Sequence, residues 1–164
     1  MELRAATEQD YPAIVRLLSS KADLFRVYPK GQHPFTVDQL RALARCREAL
    51  TVVAHQGEVL GFANLYKVKL GESAFIGNVI VAPQARGQGL GRLLVSYMAQ
   101  QAICQFQVKD VRISVFNDNT AAILLYSALG FVPHAVERRQ NPQGQLVALI
   151  HMHQAVTENA CPAP

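Results

Sequence analysis

One segment, Asn78 to Arg92, constrains the fold of this chain more than any other. It begins with apolar residues that predict the end of a strand, and it continues through a loop in which glycines occupy alternate positions. After the loop, the spacing of Leu90, Leu93 and Leu94 predicts an amphipathic helix over about residues 89–105. A strand joined to a long helix by a short glycine-rich loop is typical of an α/β protein.

The glycine-rich loop has the features of an anion-binding site. Glycines let the backbone approach a ligand closely, and the first amides of a helix have no hydrogen-bond partner within it. Together with the positive end of the helix dipole, these amides favour a phosphate or pyrophosphate group. Arg86 and Arg92 can add direct charge. The alternative, that the glycines only form a tight turn, is disfavoured by their number, spacing and flanking arginines.

Two common phosphate-binding motifs do not match this loop. The Walker motif ends in Gly-Lys-Ser or Gly-Lys-Thr, which the loop lacks. The dinucleotide-binding fingerprint is Gly-x-Gly-x-x-Gly after the first strand of a parallel unit, whereas this loop has Gly-x-Gly-x-Gly after several strands. These differences disfavour a nucleoside triphosphate or NAD and favour another ligand that carries phosphate.

The rest of the pattern predicts a mixed α/β fold with a mostly antiparallel central sheet flanked by helices. Thr7 is predicted to cap a first helix with Asp10, and Thr36 a second helix with Gln39. The intervening segment, Asp23 to Phe35, is predicted to be a structured loop because it is rich in Pro, Gly and aromatic residues. Strands are predicted over residues 3–6, 52–55, 59–68, 73–81, 111–116, 131–135 and 146–153, with a further helix over 119–129.

Length and composition fit one soluble, cytoplasmic domain. The chain has 164 residues, half of them apolar, so we expect a single domain over residues 1–156 and a flexible C-terminal tail over 157–164. No apolar run approaches the roughly 20 residues of a membrane span, and the N-terminus has no signal-peptide core. The widely spaced Cys46, Cys104 and Cys161 argue against a disulfide framework and suit a reducing compartment.

The charge of the chain is mildly positive. Sixteen Lys and Arg residues against twelve Asp and Glu residues give a formal net charge of +4. The basic residues are scattered along the chain, whereas a nucleic-acid-binding protein normally concentrates them in one stretch. We therefore expect no nucleic-acid partner and no membrane partner.

Two motifs resemble those of the GCN5-related N-acetyltransferases, the GNAT family. The segment Gln84-Ala85-Arg86-Gly87-Gln88-Gly89 matches the family signature Gln/Arg-x-x-Gly-x-Gly/Ala after a strand. The segment Asn119 to Phe131 is similar to the family's NxxAxxLYxxLGF motif, and it follows one strand and one helix later, as in the family. The order of strands and helices over about residues 3–153 also follows the family, which implies the GNAT acyl-CoA N-acyltransferase fold.

The resemblance implies acetyl-CoA as the acyl donor and no metal. It implies that the pantetheine arm lies along the strand end Val79-Ile80-Val81, with Asn119 beside it and Tyr126 at the thioester sulfur. The pyrophosphate is expected on the amides of Arg86, Gly87, Gln88, Gly89, Leu90, Gly91 and Arg92. From the residues alone, Asn119 is also a helix N-cap, which is compatible with ligand contact, and Tyr126 is also explained as a core tyrosine.

The implied reaction is direct attack of an amine on the thioester within a ternary complex. The amine must be neutral to attack, so a base or a water chain has to remove its proton. The backbone amide of Val81 is expected to stabilise the oxyanion. Tyr126, with an ordinary pKa of about 10, is expected to protonate the departing thiolate, and no covalent enzyme intermediate is required.

The general base is not assigned by the resemblance. Family members that acetylate protein N-termini often carry a glutamate where this chain has Ser114, which disfavours peptide N-terminal acetylation. Asn78, through a water, and His134 are candidates, although each is also explained as structural. The alternating His151 and His153 indicate a closing strand rather than a metal site.

The predicted function is acetyl transfer from acetyl-CoA to a primary amine of a small molecule or peptide. In this fold the acceptor pocket is usually built from the first helices, their loop and the closing hairpin, which here are residues 23–35 and about 134–145. The alternative is a non-catalytic acyl-CoA-binding or sensor domain, which a missing base would permit. The resemblance also allows a homodimer.

Overall fold

A computed structural model of the chain describes residues 1–157. Its strands are β1 (Glu2–Ala5), β2 (Glu48–His55), β3 (Glu58–Lys69), β4 (Ser73–Val81), β5 (Asp110–Phe116), β6 (Val132–Gln140) and β7 (Leu146–Ala155). Its α-helices are α1 (Tyr11–Leu17), α2 (Lys21–Val27), α3 (Val37–Ala44), α4 (Leu90–Phe106) and α5 (Thr120–Ala128).

The strands form one sheet in the order β1-β2-β3-β4-β5-β7-β6. Every neighbouring pair is antiparallel except β4 and β5, which are parallel and are connected through α4. A parallel pair requires such a crossover, because a tight turn can join only antiparallel strands. The prediction of a mostly antiparallel sheet flanked by helices, with one crossover, is therefore confirmed.

The principal core lies between α4 and the central strands. Leu94, Val95, Met98 and Ala102 are fully buried, and their spacing places them on one side of the helix. On this side of the sheet Leu94 packs over Gly61 and its cross-strand neighbour Val53, leaving no room for a Cβ at that glycine. The long helix and the glycine-rich loop at its start are thereby fixed against the middle of the sheet.

The prediction of a loop over Asp23–Phe35 is wrong in its first part. Residues Lys21–Val27 form helix α2, because the Ser20 side chain accepts a hydrogen bond from Asp23 N at 2.9 Å and Leu24 is buried. The Pro, Gly and aromatic residues that suggested a loop lie mostly after this helix. The strands β2 and β6 are also longer than predicted, since β2 begins at Glu48 and β6 continues to Gln140.

Two further expectations concern the chain as a whole. The predicted tail over residues 157–164 lies outside the described residues except for Thr157, so the domain boundary at 156 stays a prediction. Cys46 is a free cysteine, but Cys104 is disulfide-bonded, so the wide spacing of the cysteines does not exclude a disulfide. No helix within residues 1–157 has the length and hydropathy needed to cross a membrane.

A buried carboxylate fixes the connection between β1 and α1. Asp10 accepts hydrogen bonds from both terminal nitrogens of the Arg4 guanidinium, at 2.7 and 2.8 Å, and from the backbone N–H of Thr7 at 2.8 Å. The predicted capping box between Thr7 and Asp10 is confirmed. The hydrogen bonds from Arg4, followed by those from Thr7, hold the pKa of Asp10 well below its ordinary range despite its burial.

The Asp10→Asn variant is expected to lose about 1–2 kcal/mol of the free energy of unfolding at pH 7. Since the folded-state pKa is lower than the unfolded one, the carboxylate stabilises the protein above about pH 4, and this contribution is lost as the pH falls further. Urea denaturation at pH 7 and pH 3 should therefore show a smaller pH dependence in the variant. Asp38→Asn is the control, because Asp38 is exposed and pairs with Arg41 on the surface. An equal loss in both variants would contradict the assignment.

Candidate active site

The candidate site begins at a bulge in β4. Asn64 of β3 pairs with Gly77, but Phe62 pairs with Ile80, so β4 contains one extra residue between these two pairs. Asn78 lies in this bulge and has a φ of +50°. The parallel pairing of β4 with β5 ends at Ile76, immediately before the bulge. The two strands therefore separate beyond this point, and a gap opens in the middle of the sheet.

The side chain of Asn78 holds this bulge in place. Its Nδ2 donates to the carbonyl of Val27, at the end of α2, at 2.7 Å. Its Oδ1 accepts from Asn64 Nδ2 at 2.8 Å and from Arg47 Nε at 3.4 Å. With these partners, the amide of Asn78 joins α2 to the sheet beside the gap. These contacts explain Asn78 as a structural residue, which was one of the two interpretations of its sequence position.

The glycine-rich loop lies at one end of the gap. Gly87 and Gly89 have φ values of +76° and +83°, and no heavy atom lies within 4 Å of the position that a Cβ would occupy at either residue. Helical hydrogen bonding begins where Leu93 N donates to Gly89 O at 3.0 Å. The first amides of α4 therefore have no carbonyl acceptor within the helix. A Cβ at Gly91 would lie 3.1 Å from Leu125 Cδ2, so this glycine permits close packing of α4 on α5.

Two cavities adjoin the gap. The first, which we call the loop cavity, has a volume of about 660 Å³ and lies between the glycine-rich loop and the start of α5. Of the predicted site residues, it is lined by Val79, Ile80, Val81, Arg86, Gly87, Gly89, Leu90, Gly91, Arg92, Asn119 and Tyr126. Gln88 does not line it, because its side chain is exposed and donates to Gln84 O at 3.1 Å.

The second cavity, which we call the sheet cavity, has a volume of about 460 Å³. It extends from the end of α2 across β3, β4 and β5 to β6 and β7. Both cavities are lined by Arg26, Val27, Val79, Asn119 and Tyr126. Two ligands bound in the two cavities would therefore meet at these five residues.

The backbone of Val81 faces the gap. Ala82 N donates to Leu60 O of β3 at 2.8 Å, and successive N–H groups of a strand point to opposite edges. The N–H of Val81 therefore points away from β3. The Val81 carbonyl accepts from Arg86 Nε at 3.2 Å, and Arg86 Nη2 lies 3.4 Å from Asp23 Oδ2. Arg86 thus forms bonds within the protein while lining the loop cavity, whereas no described residue forms an ion pair with Arg92.

Asn119 and Tyr126 belong to α5 and its cap. Asn119 Oδ1 accepts from Ala122 N at 3.3 Å, so the predicted N-cap is confirmed, and its Nδ2 has no partner within residues 1–157. Gly130 follows the helix with a φ of +91°, as its position after Leu129 predicts. Tyr126 is only 6% exposed. Burial raises its pKa above the ordinary value, so its hydroxyl stays protonated at neutral pH and is a proton donor.

The predicted base candidates occupy different places. His134 lines neither cavity; its ring centroid lies 4.7 Å from that of His153, and burial, then nearby positive charge, lower its pKa. Ser114 lines the sheet cavity, and its Oγ lies 2.7 Å from His151 Nδ1. Glu137 Oε2 lies 3.1 Å from His151 Nε2.

Sequence reasoning did not assign His151 to the site. The alternation of His151 and His153 placed both on one face of the closing strand, but it did not indicate the strand opposite them. In the structure Ser114 and His151 are direct partners in the β5–β7 register. Recognising this register from the sequence would require pairing β5 with β7, although α5 and β6 lie between them in the chain.

The segments predicted to bind the acceptor line the sheet cavity in part. Arg26 to Lys30 and the residues Glu137 and Arg139 line the sheet cavity. Phe35, by contrast, belongs to the buried core, and Phe25 stacks on Phe116 with a centroid distance of 4.6 Å. Of the aromatic residues in the predicted segment, Tyr28 lines the sheet cavity. Arg47 and Tyr66, which also line it, come from segments that the sequence did not single out.

The comparison with known families is decisive for the family. The model of the Acetyltransferase (GNAT) family matches residues 13–131, which is most of the chain. The chain belongs to this family. A mycothiol acetyltransferase of Amycolatopsis mediterranei is 31% identical over 148 residues, which cover 79% of this chain and 45% of the relative. The chain thus spans about half the length of this relative.

Solved structures have the same fold. A GCN5-related N-acetyltransferase from Kribbella flavida is 28% identical, with a TM-score of 0.76 over 94% of this chain and 97% of the other. A spermidine N-acetyltransferase from Vibrio cholerae, in complex with CoA and spermine, has a TM-score of 0.79 at 20% identity and covers 94% of each chain. Among residues 1–157 of the present structure, no group of three His, Cys, Asp or Glu side chains is placed to hold a metal ion.

Proposed function

We propose that this protein transfers the acetyl group of acetyl-CoA to a primary amine of a small molecule or peptide, by direct attack in a ternary complex. The observation that supports this most strongly is that the loop cavity and the sheet cavity meet at Val79, Asn119 and Tyr126, where β4 leaves β5. A donor in one cavity and an acceptor in the other would meet at that junction without a covalent enzyme intermediate.

The loop cavity suits coenzyme A. The space beside Gly87 and Gly89 is open, and the adjacent helix N-terminus offers unpaired amides for a pyrophosphate. Arg92 and the exposed part of Arg86 add positive charge there. The unpaired backbone edge of Val79-Ile80-Val81 and the free Nδ2 of Asn119 suit the amide groups of a pantetheine arm. The bound donor would supply an activated thioester at the junction.

Two groups of the chain are suited to the chemistry at the junction. The N–H of Val81 points into the gap and would donate to the thioester carbonyl oxygen as negative charge develops there. Tyr126 lines both cavities and carries a hydroxyl proton at neutral pH, which it would donate to the departing thiolate. Both groups are held on regular elements that pack on the core, which keeps their positions fixed.

The Gly89→Glu variant is expected to lose detectable acetyl-CoA binding in calorimetry. A side chain and a negative charge would occupy the place where the pyrophosphate is expected, beside the amides that would bind it. Gly57→Glu is the matched control, because Gly57 has the same φ of +83° and equally open surroundings in the turn between β2 and β3. Both variants carry the same backbone strain, but only the first is expected to lose binding.

Unchanged acetyl-CoA affinity in a folded Gly89→Glu variant would contradict the donor site. The same calorimetry separates the enzyme from the sensor alternative when it is combined with a thiol-release assay over a panel of primary amines. Binding of acetyl-CoA with thiol release on at least one amine supports the enzyme. Binding without turnover on any amine, and with none lost in Tyr126→Phe, favours the sensor.

The Tyr126→Phe variant is expected to lower kcat by about 100-fold with little change in the KM for acetyl-CoA. The hydroxyl forms no hydrogen bond with any of the described residues, so its removal should leave the Tm within a few degrees of the wild type. Tyr97→Phe is the control, since Tyr97 lies on α4 and lines neither cavity. A wild-type rate for Tyr126→Phe would assign Tyr126 to packing alone.

A further inference from the structure

Ser114, His151 and Glu137 form a connected row on the wall of the sheet cavity. They lie on the neighbouring strands β5, β7 and β6, and their side chains all line that cavity. Ser114 Oγ is 2.7 Å from His151 Nδ1, and His151 Nε2 is 3.1 Å from Glu137 Oε2. The imidazole of His151 thus lies between a hydroxyl and a carboxylate.

The chemistry of the three groups determines the direction of the hydrogen bonds. The Glu137 carboxylate can only accept, because the hydrogen bonds from His151 and Arg139 hold its pKa below the ordinary value. In its neutral form, His151 therefore carries its proton on Nε2 and has a free lone pair on Nδ1. Ser114 must then donate its hydroxyl proton to Nδ1, which leaves the Ser114 oxygen as an acceptor that faces the cavity.

We propose that His151, acting through Ser114, is the proton acceptor for the incoming amine, and that Glu137 is a positioning residue for His151. This inference rests on the proposed function. As the amine nitrogen bonds to the thioester carbon and the carbon–sulfur bond breaks, the amine proton moves to Ser114 Oγ. The Ser114 hydroxyl proton moves to His151 Nδ1, and the resulting imidazolium is stabilised by Glu137. Tyr126 supplies the proton that the departing thiolate takes.

Several other charged or titratable groups lie near His151, but none of them takes the positioning role that we propose for Glu137. Arg139 is 2.9 Å from Glu137 and shares its charge, and the His134 ring centroid is 6.4 Å from that of His151. On the same side of the sheet, His153 and Arg112 are both paired with Asp110, at 2.9 and 2.7 Å. Burial raises the pKa of Tyr66 more than Ser114 and Arg47 lower it, so its hydroxyl stays protonated. Among the described residues, Glu137 is the carboxylate that contacts His151.

The test uses the amine that the thiol-release panel identifies as the best acceptor. His151→Gln is expected to lower kcat/KM by about 100-fold at pH 7 and to change the shape of the pH profile, because the proposed proton acceptor is then missing. Its activity should recover towards high pH, where more of the free amine is already neutral. Glu137→Gln should lower the rate less, and neither variant should change the affinity for acetyl-CoA. His153→Gln, on the same strand and outside the cavity, is the control.

A second readout does not depend on activity. Nitrogen-15 NMR of the wild type should show the neutral His151 protonated on Nε2, and Ser114→Ala should remove the hydrogen bond at Nδ1. An Nδ1-protonated ring, or a pH profile that His151→Gln leaves unchanged, would overturn the proposal. Failure of the proposed function would give a different result, because the protein would then not bind acetyl-CoA or would acetylate no amine. The NMR measurement would still decide whether Ser114 donates to His151.

A separate observation concerns the charge of the sheet cavity. Among the described residues that line it, five are cationic and one, Glu137, is acidic; the cations are Arg26, Lys30, Arg47, Lys67 and Arg139. Arg26 is paired with Asp118 and Arg139 with Glu137. Within residues 1–157, no ion pair involves Lys30, Arg47 or Lys67. Arg47 is half-buried and stacks on Tyr66, with its guanidinium carbon 4.7 Å from the ring centroid.

From this charge we infer that the acceptor carries a carboxylate or phosphate group in addition to its amine, and that Arg47 binds that group. This inference also rests on the proposed function. Arg47 Nε donates to Asn78 Oδ1 and Nη1 donates to Cys46 O, both at 3.4 Å, whereas Nη2 has no hydrogen-bond partner among the described residues and is available to an oxyanion. A purely cationic polyamine would meet three uncompensated positive charges in the cavity, and this repulsion disfavours it.

Matched pairs of amines test this inference. The pairs are glutamate with its diamide and phosphoethanolamine with ethanolamine. In at least one pair, we expect the amine that carries the acidic group to have a kcat/KM, or an affinity for the CoA complex, about tenfold higher than that of the other amine. Arg47→Gln should bring that ratio close to one, whereas the control Arg45→Gln, at an exposed position outside the cavity, should not. A preference for the members that lack the acidic group, no binding or reaction in either pair, or a ratio that Arg47→Gln leaves unchanged would overturn the inference. Acetyl-CoA binding and thiol release with other amines would be unaffected by that outcome.

Discussion

The gap between β4 and β5 depends on the bulge at Asn78. One extra residue in β4 ends its pairing with β5, and the Asn78 side chain stabilises the bulge by bonding to both the neighbouring strand and the end of α2. Both cavities, the exposed N–H of Val81 and the meeting point at Tyr126 exist because the strands separate there. A single half-buried amide, that of Asn78, thus connects the geometry of the sheet to the geometry of the site.

The local motifs were predictable because each is encoded within a few consecutive residues. The glycine-rich loop needs positive φ angles at Gly87 and Gly89, and the start of α5 needs a cap at Asn119, so the residue types themselves indicate the structure. The same holds for the capping box at Thr7. Helix α2 was missed because its short length gives little periodicity and its signal, the cap at Ser20, precedes residues typical of a loop.

The acceptor side was less predictable because its residues converge from distant segments. Arg47 and Tyr66 come from the region of β2 and β3, while His151 and Glu137 come from the closing hairpin. Their proximity follows from strand order and register, and a slip of one residue would turn His151 to the opposite face. The sequence showed that Ser114 lacks the carboxylate common in relatives. It could not show that β7 brings an imidazole to the same hydroxyl.

The net charge illustrates the same distinction between composition and placement. A charge of +4 on the whole chain is weak, and it predicted no particular partner. In the folded protein, Arg86 is partly neutralised by Asp23 and Arg26 by Asp118, whereas Arg92 and Arg47 have no acidic partner among the described residues. Arg92 faces the loop cavity and Arg47 the sheet cavity. Part of the uncompensated charge therefore lies at the two places where we propose that anionic groups bind, one on the donor and one on the acceptor.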